Sequence, residues 1–302
     1  MNFTGVIPIL ATPFHEDESF DAQSMTGLVQ LMKRIGIDGV TVLGVLGEAN
    51  RLGDSEREQV IRAAVSAADG LPVVAGASAS GNRAACDLAR MAESAGASAI
   101  MITPHAEPVP SDERVFRYFA AITEATSLPV VLQDHPASSG VHMSAALMLR
   151  IVNELPTISC IKEESLPTPP KIRALIAGMT DRRIPILTGL GALYGLFDLE
   201  AGSDGFNTGF AFPEVLMAMV DAAREKNRDR VREIYTRFLP LIVFEQQPGV
   251  AVRKEILRMR GAIEGNRVRD PAAPLNPETR DQLALLVTQL LPGADLTAPL
   301  QI

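Results

Sequence analysis

The sequence predicts a (β/α)8 TIM barrel with a C-terminal helical appendage. Three observations carry that expectation. Short apolar runs recur, beginning at residues 6, 39, 72, 98, 129, 157, 184 and 204. Stretches of helical period lie between them. The runs are also wholly apolar rather than alternating, which is the pattern of parallel strands covered by helices.

The first run, "VIPIL", is followed by "DAQSMTGLVQLMKRIG", which opens on Asp21 as N-cap and closes on Gly36 as C′ residue. "GVTVLG" comes next, and "DSEREQVIRAAVSAADG" repeats the helix pattern from Asp54 to Gly70. "PVVAG" precedes a helix running to Gly96, and "SAIMI" precedes one that starts after Pro110. "PVVLQ", "TISCIK", "IPILTG" and "DGFNTG" complete eight strands. Their starts lie roughly 20 to 35 residues apart, the length of one strand–helix–strand crossover. A doubly wound open sheet is the alternative. It calls for a glycine-rich phosphate loop after an early strand, and no such motif stands there. From about residue 226 the pattern is helical only, in "NRDRVREIYTRFLPLIVFEQQ", "GVAVRKEILRMRGAI" and "NPETRDQLALLVTQLL". The expected division is a barrel over 1–225 and a helical extension over 226–302 packed on it, ending in a loop-like tail.

Composition narrows the function. The 302 residues are 47% hydrophobic and 21% charged, and 36 acidic residues against 28 basic ones give a net charge of −8. That balance disfavours nucleic acid and anionic membrane surfaces as partners. The two cysteines, Cys86 and Cys160, are far apart and lack metal-ligand spacing, which fits a reducing cytoplasm. "MNFTGVIPIL" does not read as a secretory leader, and no run has the roughly 20 apolar residues of a membrane span.

In such a barrel the chemistry sits at the C-terminal ends of the strands. Those ends carry Thr12; Gly44, Gly47 and Glu48; Gln133, Asp134 and His135; Lys162 with Glu163, Glu164 and Ser165; Thr188 and Gly189; and Asn207 and Thr208. Lys162 stands out, because it closes a buried run. A lysine there is either a solvated strand end or an amine kept for carbonyl chemistry.

"GVLGEANRL", "LPVVLQDHP" and "CIKEES", preceded by "GVIPILATPF", resemble the ordered signature segments of the dihydrodipicolinate synthase and N-acetylneuraminate lyase family. The resemblance implies a (β/α)8 barrel, a homo-oligomer (tetramer or dimer), and class I lyase chemistry on a 2-oxo acid with Lys162 forming a Schiff base. No cofactor and no metal are implied. In the family the region of Gly44, Val45, Leu46 and Gly47 holds the substrate carboxylate, and glycines there let the backbone approach it closely. Glu48 either caps a local turn or pairs with Arg51; in the family the matching glutamate is mostly structural, and that structural reading is the one favoured here.

The departures are informative. The family usually has a tyrosine where this chain has Gln133, and an amide cannot act as a general acid or base. Hydroxyl residues of the synthase fall at Val45 and Leu46, its loop tyrosines in "TPHAEP", and its second-carboxylate arginine near Ser138. Synthesis of dihydrodipicolinate is therefore disfavoured. His135 is the first candidate to replace the tyrosine as proton shuttle, with Glu164 second; His105 and Asp134 are the other titratable groups nearby. Asn207 and Thr208 are candidate contacts for substrate hydroxyls. The expected activity is an aldolase or dehydratase acting on a 2-oxo acid such as a 2-keto-3-deoxy sugar acid. The alternatives are the synthase proper, a silent 2-oxo-acid-binding relative, and a metal-dependent barrel enzyme, the last lacking any motif of metal-ligand spacing on the rim.

Overall fold

A computed structural model describes residues 2–109, 111–247 and 249–302. Eight parallel strands form one sheet: β1 (Gly5–Val6), β2 (Val40–Val42), β3 (Val73–Gly76), β4 (Ala99–Ile102), β5 (Val130–Asp134), β6 (Ile158–Glu163), β7 (Ile186–Thr188) and β8 (Gly205–Phe206). Their order is β1-β8-β7-β6-β5-β4-β3-β2. The ring closes between β1 and β2, where Thr41 N–H donates to the Pro8 carbonyl and Leu10 N–H to the Thr41 carbonyl, each at 2.8 Å. The expected eight-stranded barrel is thus present. β1 is shorter than its apolar run because Pro8 has no N–H to give a ladder. β8 pairs with β1 at Gly205, where φ is +145° and a Cβ would run into the Gly5 backbone.

Among the described residues twelve α-helices follow in chain order: α1 (Ala22–Ile35), α2 (Asp54–Ala68), α3 (Asn82–Ser94), α4 (Asp112–Ala125), α5 (Pro136–Ser139), α6 (Ala145–Glu154), α7 (Thr168–Gly178), α8 (Gly195–Ala201), α9 (Pro213–Arg224), α10 (Arg228–Phe244), α11 (Val250–Met259) and α12 (Pro277–Leu290). The caps of α1 are those expected. Asp21 accepts from Ser24 N–H at 2.9 Å, and Gly36 takes the left-handed conformation. α2 differs at its start. Gly53 is the N-cap, and Glu56 reaches back to its N–H at 3.0 Å, so Asp54 lies inside the first turn, where a carboxylate also favours the helix dipole. Pro110, expected just ahead of α4, lies outside the described residues. No described helix is long and apolar enough to cross a membrane.

Strand alternation divides the core. One apolar layer fills the barrel itself, including Ile7, Ile9, Val74, Met101, Val131, Cys160 and Leu187. A second layer, including Ile102, Leu132, Ile161 and Ile186, packs outward against the surrounding helices. A third joins β1 and β8 to α8–α12. Because Val131 and Cys160 face inward, so do Gln133 and Lys162 two residues on, while Asp134 and Glu163 face the helices. The apolar interior therefore ends in a polar layer at the C-terminal mouth.

Candidate active site

Lys162 sits in register with Gln133 on β5 and Leu187 on β7 and is only 4% exposed. The Glu164 carboxylate lies beside it, with Oε2 3.4 Å from Lys162 Nζ. The same Oε2 accepts a 2.7 Å bond from Gln133 Nε2, and Oε1 accepts from the Leu190 N–H at 3.0 Å. Gly189 leaves room for this arrangement, since a Cβ there would overlap the Glu164 carboxylate. Burial alone would raise the Glu164 pKa. The Lys162 and His135 charges and the two donated hydrogen bonds outweigh it and hold the group below the ordinary glutamate value. Glu164 is thus an ionised, buried carboxylate in contact with the rim lysine.

His135 is half-buried at the head of α5, and its Nδ1 lies 2.6 Å from Ser138 Oγ. Asp134 and Glu163 lie behind the wall on neighbouring register positions. Both are fully buried and share Lys171, which bonds Asp134 Oδ2 and stands 4.0 Å from Glu163 Oε2. Burial first, and the Asp134 charge second, push the Glu163 carboxyl up to about 9.

The turn after β2 forms the opposite side. Gly44 precedes a 3-10 turn over Val45–Gly47, and a Cβ on Gly44 would press on Ile9 at 2.8 Å. The Gly47 carbonyl accepts from Thr12 Oγ1 at 2.7 Å. The N–H groups of Val45 and Leu46 begin the turn and so have no partner within it. Val45 is 59% exposed at the mouth, whereas Leu46 packs on the interior layer over Gly209, where a Cβ would collide with it. Glu48 is buried and does pair with Arg51, at 3.0 Å. It also accepts from Lys254 Nζ of α11 at 2.6 Å and from Arg269 N–H at 3.0 Å.

Asn207 and Thr208 are at the mouth, with their polar atoms engaged by the barrel. Asn207 Nδ2 donates to the Ile7 carbonyl at 2.7 Å and to Thr41 Oγ1 at 2.8 Å, tying β8 to β1 and β2. Its buried Oδ1 has no partner among the described residues. Thr208 Oγ1 accepts from Gly191 N–H at 2.7 Å. A cavity of about 940 Å³ is lined by Gly44, Val45, Thr103, His105, Gln133 and Ser138 among others. None of the three tyrosines lines it: Tyr118 bonds the Ala79 carbonyl, Tyr235 bonds the Leu193 carbonyl, and Tyr194 heads α8.

Nearly all of the chain fits one known pattern: residues 2–290 match the model of the dihydrodipicolinate synthetase family. The chain belongs to that family. Among its relatives is the L-2-keto-3-deoxyarabonate dehydratase of Azospirillum brasilense, 30% identical over 95% of this chain and 94% of that protein. Another is the 4-hydroxy-tetrahydrodipicolinate synthase of Methanothrix thermoacetophila, 31% identical over 99% of this chain and the whole of that protein. The crystal structure of dihydrodipicolinate synthase from Rhodopseudomonas palustris superposes with a TM-score of 0.90 at 35% identity, covering 95% of this chain and 97% of that one. As a dihydrodipicolinate synthetase family member, this chain carries Gln133 and Glu164 as the side chains in closest company with Lys162. Sequence reading missed Leu190 N–H, Lys171 and Lys254. The first is a backbone group, which no side-chain pattern marks. The two lysines read as ordinary surface residues of helices, and Lys254, flanked by Arg253 and Glu255 in "VRKEIL", carries no sequence mark of its burial.

Proposed function

We propose that this chain is a Schiff-base-forming lyase of the aldolase or dehydratase type acting on a 2-oxo acid, with Lys162 as nucleophile and Glu164 as the proton-transfer group. The observation that carries this reading is the buried, ionised Glu164 carboxylate 3.4 Å from Lys162 Nζ. The neutral amine of Lys162 adds to the C2 ketone, and loss of water gives an iminium that accepts an electron pair from C3. The substrate carboxylate is held by the Val45 and Leu46 N–H groups. In cleavage, Glu164 takes the proton of the C4 hydroxyl as the C3–C4 bond breaks. The resulting enamine then recovers that proton at C3, and hydrolysis releases pyruvate. In dehydration, Glu164 takes a C3 proton and returns it to the departing C4 hydroxyl, which leaves as water. One carboxylate therefore serves either course without a tyrosine.

Dehydration has specific support in the dehydratase named among the relatives. The synthase reaction is disfavoured by Gln133, by the apolar Val45 and Leu46 side chains, and by Ser138 in place of a cation. Gln133 orients Glu164 through its 2.7 Å bond, and His135 supports the ionised state of that carboxylate. Asn207 Oδ1, buried and without a partner among the described residues, would accept from a substrate hydroxyl only on local opening of the β8 end, and Thr208 keeps its O–H as a donor. The extension over 226–302 buttresses the mouth through Lys254, and the assembly is a homo-oligomer, a tetramer or a dimer. The test is incubation with pyruvate and borohydride followed by intact-mass measurement. A stable adduct on Lys162 is expected; no adduct, with activity lost to a chelator, would replace this reading by a metal-dependent one.

A further inference from the structure

Consecutive residues of α11 diverge at the barrel mouth. Lys254 reaches Glu48 in the β2 turn, whereas Arg253 reaches the turn after β7. Arg253 is 5% exposed, so its guanidinium has left water almost completely. A buried guanidinium ordinarily has its five donors satisfied, because an unpaired one costs several kcal/mol. Arg253 departs from this. Among the described residues its single ionic partner is Glu245, at 3.0 Å on the Nε side, and the contact is too poorly aligned to satisfy either atom. Among the described residues neither Nη atom has a hydrogen-bond partner, and since Nε is sealed, the little surface the group keeps is at its Nη end.

That end lies against the turn after β7. The space a Gly191 side chain would take is occupied by the Gln246 amide and by Arg253 Nη2, which lies 3.0 Å from the Cβ position. Gly191 donates to Thr208 Oγ1, and the preceding Leu190 N–H binds Glu164, the neighbour of Lys162. These links bound the guanidinium to within about 18 Å of Lys162 Nζ, given about 3.8 Å per residue of backbone. Burial pushes the Glu245 carboxyl up to about 7 against the opposing pull of Arg253.

We infer that Arg253 is the anchor for a second, distal carboxylate of the substrate, so that the 2-oxo acid processed at Lys162 is a dicarboxylate. This rests on the Schiff-base reading above. A guanidinium fork with two free Nη donors matches a carboxylate in geometry. One cation, already shared with Glu245, suits a monoanionic carboxylate better than a phosphate dianion. The anchor comes from the appendage and stands over β7 and β8, on a different wall from Ser138.

Two probes of equal length, 2-oxoadipate and 2-oxohexanoate, differ only in the distal group. Borohydride trapping across a concentration series gives a half-trapping concentration for each. The wild type is expected to trap the diacid at about tenfold lower concentration or less, the scale of a charge-assisted hydrogen bond. In Arg253→Met combined with Glu245→Gln, which leaves no buried charge unpaired, that preference is expected to vanish. Arg253→Lys keeps the charge but loses the fork, and is expected to lose most of the preference; it serves if the double variant does not fold. Equal trapping of both probes by the wild type, or a preference that survives these substitutions, would overturn the assignment. Stronger competition by inorganic phosphate than by glutarate would overturn the carboxylate as ligand. Calorimetric binding of 2-oxoadipate to Lys162→Ala, with and without the Arg253 change, separates the two readings. If no 2-oxo acid is trapped but this binding still requires Arg253, the Schiff-base reading falls and the anchor stands.

Discussion

Asp134 and Glu163 are register partners on adjacent strands, both fully buried, and they share one cation, Lys171. Asp134 Oδ1 and Glu163 Oε2 each lack a hydrogen-bond partner among the described residues. Burial and the Asp134 charge raise the Glu163 carboxyl, and a proton kept on it leaves the trio electrically neutral. The trio stands directly behind Gln133 and Lys162, and so fixes the strand ends that present them.

This proton makes a stability prediction with a definite sign. Glu163 is raised to about 9 in the fold, from an ordinary value of 4.5. Its contribution is therefore complete below about pH 4.5 and is lost as pH climbs through about 9. Glu163→Gln keeps a donor for Asp134 and an acceptor for Ser165 N–H but has no proton to lose. Its unfolding free energy is expected to gain on the wild type steadily from pH 5 to pH 9, with a slope of at most about 1.4 kcal/mol per pH unit, and its melting temperature to rise relative to the wild type accordingly. Parallel melting profiles for the two proteins would show that no proton is held there.

The Lys254–Glu48 pair makes a second prediction. Both residues are fully buried, 2.6 Å apart, and they join the appendage to the turn that carries Val45 and Leu46. Removing one partner strands the other in a low-dielectric site. Lys254→Met is expected to cost about 3 to 5 kcal/mol in urea unfolding, and the addition of Glu48→Gln to recover part of it. A single variant within about 1 kcal/mol of the wild type would mean that Arg51 alone neutralises Glu48.

Gln133→Tyr tests the departure from the synthase pattern. Gln133 donates to Glu164, and no other group of the synthase relay is present: Val45 is apolar and exposed, Leu46 is turned into the barrel, and Ser138 faces His135. The single variant is expected to condense no aspartate semialdehyde with pyruvate. Efficient synthesis in a coupled reductase assay would show that the tyrosine alone had been missing.

The barrel was legible because its signal is local: apolar runs, N-caps and terminal glycines repeat at crossover spacing, as at Asp21 and Gly36. Lys162 was legible because a charge at the end of a buried run is conspicuous. Glu164 was harder to rank, since sequence places Glu163 and Glu164 side by side and only strand alternation separates the helix-facing one from the site-facing one. The remainder was not legible for a topological reason. Gly191, Lys254 and Arg253 act at the mouth from segments that approach it only after the appendage folds back.

Glu164 and His135 can be separated by one pair of variants and a pH profile. The Glu164 carboxylate touches Lys162 Nζ and is held below the ordinary glutamate value, so as a base it stays ionised through neutral pH. Activity carried by it should persist as pH falls through 7 and 6 and decline only below the ordinary carboxylate range near 4.5. An imidazole base would instead lose activity through roughly 6 to 7. Glu164→Gln is expected to lower turnover by about 10²-fold or more, with a much smaller effect on pyruvate trapping, because the amide keeps the shape but cannot take a proton. His135→Asn is expected to lower turnover only modestly and to leave the acid limb in place, since His135 supports Glu164 by charge and turns its Nδ1 to Ser138. A limb near 6 to 7 that disappears in His135→Asn would transfer the proton to His135 and leave Glu164 as its counter-charge.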